Sequence, residues 1–121
     1  MLAIRILENE IIPIIAVEGK IDAANKREID EAIDSVLSPT STQLILDLTG
    51  VTSMDAGEVQ AIIEATHRSL GAGGRLALVV TEKEVLNALK ESRVFGDPGV
   101  LIFRNRKDAE VYLGERRLDS T

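Results

Sequence analysis

The chain has 121 residues, a net charge of −6, three aromatic residues, one histidine and no cysteine. An acidic chain with so few rings lacks both the clustered Lys and Arg that bind phosphates and the platforms on which bases stack, so we expect no nucleic-acid partner. The missing cysteines and the single His67 argue against metal sites and against Cys- or His-dependent catalysis. No apolar run approaches the ~20 residues that span a bilayer, and no signal-peptide layout is present. We therefore expect a cytoplasmic domain without direct membrane insertion, catalytic residues, metal or cofactor.

Two short apolar strands begin the chain. We predict strands over Leu2–Leu7 and over residues 11–17, because the polar tract at 8–10 between them is typical of a hairpin turn. Pro13 falls inside the second predicted strand and cannot donate to a β-ladder, so it places that strand near a sheet edge or an irregularity. The chain thus begins with an antiparallel pair.

Helices and strands alternate after this hairpin. Asn25 and Glu28 have the spacing of a capping box before a helix at 29–37, and the continuous apolar run at 44–48 predicts a strand buried on both faces. The later elements are a helix at 59–70, a strand at 76–80, a helix at 85–89, a strand at Val100–Phe103 and a helix at 107–113 that ends at Gly114. This order predicts an α/β sandwich with a mostly parallel mixed sheet and about four helices. We expect one domain over residues 1–115 and a loose tail at 116–121.

Two features that can accompany chemistry have simpler explanations. The glycine-rich tract at 71–74 closes a helix and enters a strand, whereas a phosphate-binding loop follows a strand and begins a helix. His67 lies late on a predicted helix, and no neighbour in the sequence supplies the nucleophile or orienting group that a general base needs. Neither feature indicates an active site.

The segment at residues 47–58 is the stronger candidate for a functional region. It joins a buried strand to a helix at the carboxyl end of a parallel strand, where α/β sheets place their functional loops. Asp55 is a suitable N-cap residue, and Glu58 three residues later completes a capping-box pattern. Such a cap stabilises a helix by about 1 kcal/mol, and this structural role stands beside any functional one.

Several motifs together resemble one family. They are VEGKIDAA at residues 17–24, LILDLTGVTSMD at 44–55, GGRLALV at 73–79, VF at 94–95 and a short terminal helix near residues 108–109. In this order, and over nearly the whole chain, they are similar to the STAS domain of bacterial anti-sigma-factor antagonists. The resemblance implies a STAS-like α/β sandwich.

The resemblance also implies a mode of action. In that family the loop after the third strand and the start of the next helix dock on an anti-sigma factor, which is a GHKL-type serine kinase. The kinase phosphorylates a Ser or Thr in the loop, and the added charge cancels binding. Asp22, which is equally a turn residue, matches one of the two acidic positions beside the phosphorylation site. The residues that match the docking surface are Asp22, Ser53, Asp55, Ala56, Gly57, Glu58 and Val59.

The chain departs from the family pattern at the phosphorylation motif. Ala56 and Gly57 stand where the family has two small hydroxyl residues, and Glu58 stands at the family glycine. The usual acceptor position is therefore Gly57, which cannot be phosphorylated. Three interpretations stay open: binding without this switch, phosphorylation of Ser53 or Thr52 instead, or a standing charge at Glu58 that partly imitates phosphate. Turn chemistry also explains the two hydroxyl residues, and capping also explains the glutamate.

The predicted partner is a protein, either an anti-sigma factor of the GHKL kinase type or another protein. The alternative is a STAS scaffold subunit of a lipid-transport or signalling complex, because a scaffold needs no phosphorylation and so fits Gly57. A third interpretation, a small hydrolase or nucleotide enzyme, has no nucleophile–base pair to support it. The sequence leaves the oligomeric state open, a homodimer included.

Overall fold

Five strands and four helices make up the part of the chain that the computed structural model describes, which is residues 2–7, 12–37, 42–54, 56–70, 74–91 and 99–119. The strands are β1 (Leu2–Leu7), β2 (Ile14–Lys20), β3 (Gln43–Ser53), β4 (Arg75–Val79) and β5 (Val100–Phe103). The helices are α1 (Lys26–Val36), α2 (Ala56–Ser69), α3 (Lys83–Glu91) and α4 (Arg106–Asp119). In this part of the chain, no helix is long and apolar enough to cross a membrane.

The strands lie side by side in chain order, β1-β2-β3-β4-β5. β1 and β2 are antiparallel, and each later strand is parallel to the one before it. The predicted antiparallel pair and the mostly parallel mixed sheet are therefore confirmed, whereas the predicted turn at residues 8–10 lies outside the described residues.

Helices cover the two faces of the sheet unequally. Leu44, Leu46 and Leu48 of β3 pack with α1, α2 and α3 on one side, which we call the three-helix face. Ile45 packs on the other side with Ala109 and Leu113 of α4, which we call the one-helix face. Right-handed crossovers that all advance in one direction place their helices on the same face, whereas α4 follows the last strand and is free to cover the other. Burial on both sides explains why four of the five residues at 44–48 are apolar.

The second strand differs from its prediction in both bounds and position. β2 begins at Ile14 rather than at residue 11, and it continues to Lys20. Pro13 therefore lies just outside β2, where its carbonyl accepts a hydrogen bond from the Ile45 N–H at 3.0 Å. Because the proline precedes the strand, β2 can lie inside the sheet between β1 and β3. The strand at this edge is β1.

The third strand is longer than predicted and irregular. β3 continues to Ser53, so residues 49–53 belong to the strand and not to a loop. Its pairing with β2 shifts twice, between Ala16 and Glu18 and between Gly19 and Lys20. Near the first shift, a Cβ on Gly50 would lie 2.5 Å from the Glu18 Cγ, so this close approach requires glycine.

The last helix continues past its predicted end. α4 runs from Arg106 to Asp119 and includes Gly114 as an ordinary helical residue. A Cβ on Gly114 would meet nothing within 4 Å, so neither sterics nor a helix end requires glycine there. Residues 116–119, which we expected in a loose tail, belong to this helix, whereas the domain boundary at residue 115 stays a prediction.

Candidate functional site

The carboxyl ends of β2 and β3 meet at one edge of the sheet. Lys20 pairs with Ser53 in the ladder, and the Ile21 N–H donates a hydrogen bond to the Ser53 carbonyl at 3.0 Å. The segment that contains Asp22 therefore lies beside the segment that leads into α2. These two segments are the predicted docking surface, and the structure brings them together because β2 and β3 are parallel neighbours.

Asp22 organises the turn that leads into α1. Its Oδ1 accepts hydrogen bonds from the backbone N–H groups of Ala24 at 3.0 Å and of Asn25 at 3.1 Å. Its backbone carbonyl also accepts a bond from the Lys26 N–H at 3.0 Å. A carboxylate that accepts two successive N–H groups is typical of an Asx turn, so the turn role of Asp22 is confirmed.

The capping box predicted from Asn25 and Glu28 is wrong. Asn25 stands at the N-cap of α1, but its side chain makes no capping hydrogen bond. Its Oδ1 accepts a bond from the Asp22 N–H at 2.9 Å, and its Nδ2 donates to the Lys20 carbonyl at 2.8 Å. The amide thus ties the turn back to the end of β2, and the segment from Lys20 to Asn25 is held by hydrogen bonds at both ends.

The start of α2 forms the other half of the surface. Gly57 is exposed and Glu58 is half-buried in the first turn of the helix. Asp55, together with the side chains of Ala56 and Val59, lies outside the described residues. The capping box between Asp55 and Glu58 therefore stays a prediction.

The two hydroxyl residues upstream of α2 differ in position. Val51 is buried against the three-helix core, and Thr52 after it is exposed. Thr52 is the extra residue of the second register shift, because Val51 pairs with Gly19 and Ser53 pairs with Lys20, the next residue of β2. Ser53 is half-buried and lies at the end of the strand beside Ile21. Of the two, Ser53 is the hydroxyl that adjoins the Asp22 turn.

Apolar side chains support this surface from below. Ile21, Ile29, Ile62 and Ile63 are almost completely buried where α1 and α2 meet the sheet. They surround a cavity of about 10 Å³, which is no larger than one water molecule needs, together with other apolar side chains from β3 and the segment after it. The surface therefore rests on a filled core rather than on an open cleft. The remaining lining residues are Leu46, Leu48 and Met54.

An ion pair between the buried Asp47 and the partly exposed Arg106, which our sequence analysis missed, lies on the one-helix face. Asp47 of β3 accepts hydrogen bonds from the Thr49 N–H at 2.9 Å, from the Thr49 hydroxyl at 2.7 Å and from the Arg106 Nε. Burial raises the pKa of Asp47, but the backbone and hydroxyl hydrogen bonds from Thr49 and the hydrogen bond and charge of Arg106 outweigh it, so the pKa lies below its usual value. The position of Asp47 inside an otherwise apolar run indicates a buried carboxylate that needs a partner, but the sequence does not show that the partner is the distant Arg106. The pair attaches α4 to the sheet.

The described residues contain no group of three or more carboxylate, histidine or cysteine side chains that could hold a metal ion. The site is thus a pair of hydrogen-bonded segments on an apolar support. Its exposed groups are suited to contact with another molecule's surface.

The sheet order, the three helices on one face and the paired ends of β2 and β3 define an α/β protein of one known class. The family model for the STAS domain matches residues 3–109, and the chain belongs to this family. The resemblance seen in the sequence is therefore confirmed.

Solved structures share the fold. An anti-sigma factor antagonist from Mycobacterium paratuberculosis matches with a TM-score of 0.79 at 18% identity, covering 93% of each chain. The unphosphorylated anti-sigma factor antagonist SpoIIAA matches with a TM-score of 0.61 at 15% identity, covering 93% of this chain and 98% of that one. The phosphorylated form of the Bacillus cell fate determinant SpoIIAA gives a TM-score of 0.55 at 16% identity, covering 92% and 99%. Comparison with curated protein sequences finds no match.

Proposed function

We propose that the protein is a cytoplasmic, non-enzymatic regulator that acts by binding another protein, as an anti-sigma-factor antagonist does. The observation that carries the proposal is the hydrogen-bonded contact between the Asp22 turn and the end of β3 beside the start of α2. Parallel α/β sheets place binding sites at this edge. The antagonists among the structural neighbours share the fold that creates it.

The proposed partner is an anti-sigma factor of the GHKL kinase type. The docking surface consists of Asp22, Ser53, Asp55, Ala56, Gly57, Glu58 and Val59. Its carboxylates, within a chain of net charge −6, suit a partner surface that carries Lys or Arg, because complementary charge speeds encounter and fixes orientation.

Binding by this surface would not be switched off by phosphorylation at the usual acceptor position. Gly57 is exposed at the acceptor position and has no hydroxyl to phosphorylate. Ser53 is the better substitute acceptor, because it pairs with Lys20 and lies beside the Asp22 turn. Glu58, in the first turn of α2, already carries a negative charge at the surface.

The first experiment is affinity capture with the full chain as bait, followed by calorimetry with the purified partner. Glu58→Lys is expected to weaken binding by roughly tenfold, because it reverses a charge at the docking surface. Glu84→Lys is the matched control, since it makes the same change in the first turn of α3, away from the surface. Equal loss of affinity in both variants would remove the start of α2 from the interface.

Gly57→Ser tests the missing switch directly. Gly57 is exposed and its φ is not positive, so serine fits the helix without backbone strain. Incubation with the captured kinase and ATP is expected to add one phosphoryl group to the variant and none to the wild type, as read by intact mass. A phosphoryl group on wild-type Ser53 or Thr52 would instead show that the switch has moved upstream.

A scaffold subunit of a lipid-transport or signalling complex is the second candidate function. The absent acceptor hydroxyl at Gly57 favours it, because a scaffold needs no reversible release. The same capture experiment separates the two candidates. Recovery of a permease complex without a kinase-type partner would contradict the antagonist proposal.

A further inference from the structure

We propose that two copies of the chain associate by pairing β1 antiparallel with β1 of a second copy. β1 lies at the edge of the sheet, and within the described residues it pairs only with β2. An edge strand presents a row of N–H and C=O groups on its outer side, and another strand can satisfy them. The pairing would join two five-stranded sheets into one.

The side chains of β1 suit a continuous sheet. Leu2, Ile4 and Ile6 pack partly against the three-helix core, while Ala3 and Arg5 between them are exposed on the one-helix side. Opposite residues of an antiparallel pair lie on the same face. The apolar side chains of both copies would therefore form one row that continues the core across the junction.

Charge selects the register of this pairing. Two symmetric registers pair five residues of the six-residue strand, and their centres lie at Ile4 and at Arg5. The second places two Arg5 side chains directly opposite each other, which is unfavourable. The first places Ile4 opposite Ile4 and Arg5 opposite Ala3, so we assign the register centred on Ile4.

A shallow groove lies where Arg5 of the second copy would rest. Ala3, Ile4, Arg5, Ala16 and Glu18 line this groove of about 90 Å³. Glu18 is the partner of Ala3 in β2, so the small Ala3 side chain separates Glu18 from the position of the incoming Arg5. Arg5 and Glu18 of one copy form a loose, exposed ion pair at 3.5 Å, and the groove lets the same two groups pair between copies.

Cross-linking tests the register, because the chain contains no native cysteine. In the assigned register, the Cα atoms of two Ile4 residues lie about 5 Å apart, which suits a disulfide. The Cα atoms of two Ile6 residues lie roughly 14 Å apart, which is too far for a disulfide. Ile4→Cys is expected to form a disulfide-linked dimer under mild oxidation, while Ile6→Cys stays monomeric. Equal cross-linking of the two variants, or none in either, would overturn the proposal.

Sedimentation equilibrium of the full chain tests the charge contact without cysteine. The wild type is expected to show a concentration-dependent monomer–dimer equilibrium that weakens as salt is added. Ala3→Lys faces Glu18 within its own sheet but repels Arg5 of the second copy, so we expect a roughly tenfold higher dissociation constant with the fold intact. Asn87→Lys adds the same charge at an exposed position of α3 and should change nothing. A wild type that stays monomeric at every concentration, or equal weakening in both variants, would contradict β1 pairing.

Discussion

The two faces of the sheet are held by different interactions. Apolar side chains form the larger cluster, on the three-helix face, and packing among them is non-directional; the buried Thr66 of α2 donates its hydroxyl to the Ile62 carbonyl of its own helix. The one-helix face has a smaller apolar cluster, and beside it Asp47 and Arg106 form a charge-assisted hydrogen bond. Apolar packing therefore supplies most of the stability, whereas the ion pair fixes the point at which α4 begins against β3. Adjacent residues of β3 belong to opposite faces, so single substitutions can separate the two contributions.

Leu46→Ala should have the largest effect on stability. Leu46 is 1% exposed on the three-helix face, and its truncation leaves a cavity among several helices. We expect the free energy of unfolding to fall by about 3 kcal/mol, measured by urea denaturation followed by circular dichroism. Leu46→Met, which conserves volume, should cost less than about 1.5 kcal/mol. Equal losses of unfolding free energy in the two variants would mean that filling of the core volume is not what stabilises the three-helix face.

Asp47→Asn should have the next largest effect, on the one-helix face. The substitution removes the charge that Arg106 pairs with but leaves an oxygen that can accept the Thr49 bonds. We expect a loss of about 2 kcal/mol at neutral pH, because a partly buried hydrogen bond between two charged groups is lost. A wild-type free energy of unfolding in this variant would show that the ion pair contributes nothing.

The role of the Asp47 charge can be checked independently from the pH dependence of the difference in unfolding free energy between wild type and Asp47→Asn. The folded-state pKa of Asp47 lies below its ordinary value of 3.8, so protonation favours the unfolded chain. The advantage of wild type over Asp47→Asn should be complete above pH 3.8 and disappear as the pH falls through the folded-state pKa. Unfolding curves measured on both proteins from pH 7 to acid test this. A difference that does not change with pH would contradict the role given to the charge.

Gly114→Ala should have the smallest effect and the opposite sign. Gly114 lies inside α4 with open space around it, so alanine should add about 0.5–1 kcal/mol of stability through helix propensity. Gly50→Ala is the contrasting control, because its Cβ would meet Glu18 and should destabilise the protein. Thermal unfolding of the two variants should show shifts in opposite directions.

The parts of the fold that the sequence predicts are those with local signals. Apolar runs, turn residues and alternation of elements give the hairpin, the parallel sheet and all four helices. The extension of β3 was missed because Thr49, Gly50 and Ser53 have the composition of a turn. Pairing with β2 outweighs that local preference, which is a tertiary effect and invisible to a residue pattern.

In the candidate site, too, some features could be predicted from the sequence and others depend on tertiary contacts. The proximity of Asp22 and Ser53 follows from the rule that parallel strands end at one sheet edge, and it could be predicted. The hydrogen bonds of Asn25 could not, because the capping-box spacing does not reveal that a turn centred on Asp22 precedes the helix. The Asp47–Arg106 pair joins residues 59 positions apart, and no local pattern connects them.

The position of α4 has a consequence for synthesis of the chain. Each strand pairs with the strand made just before it, so the sheet can grow in chain order while the polypeptide leaves the ribosome. α4 follows all five strands, so Ile14, Ile45, Ala77 and Val79 stay uncovered until it has been made. A nascent chain that stalls before Arg106 would therefore present an apolar sheet face to chaperones.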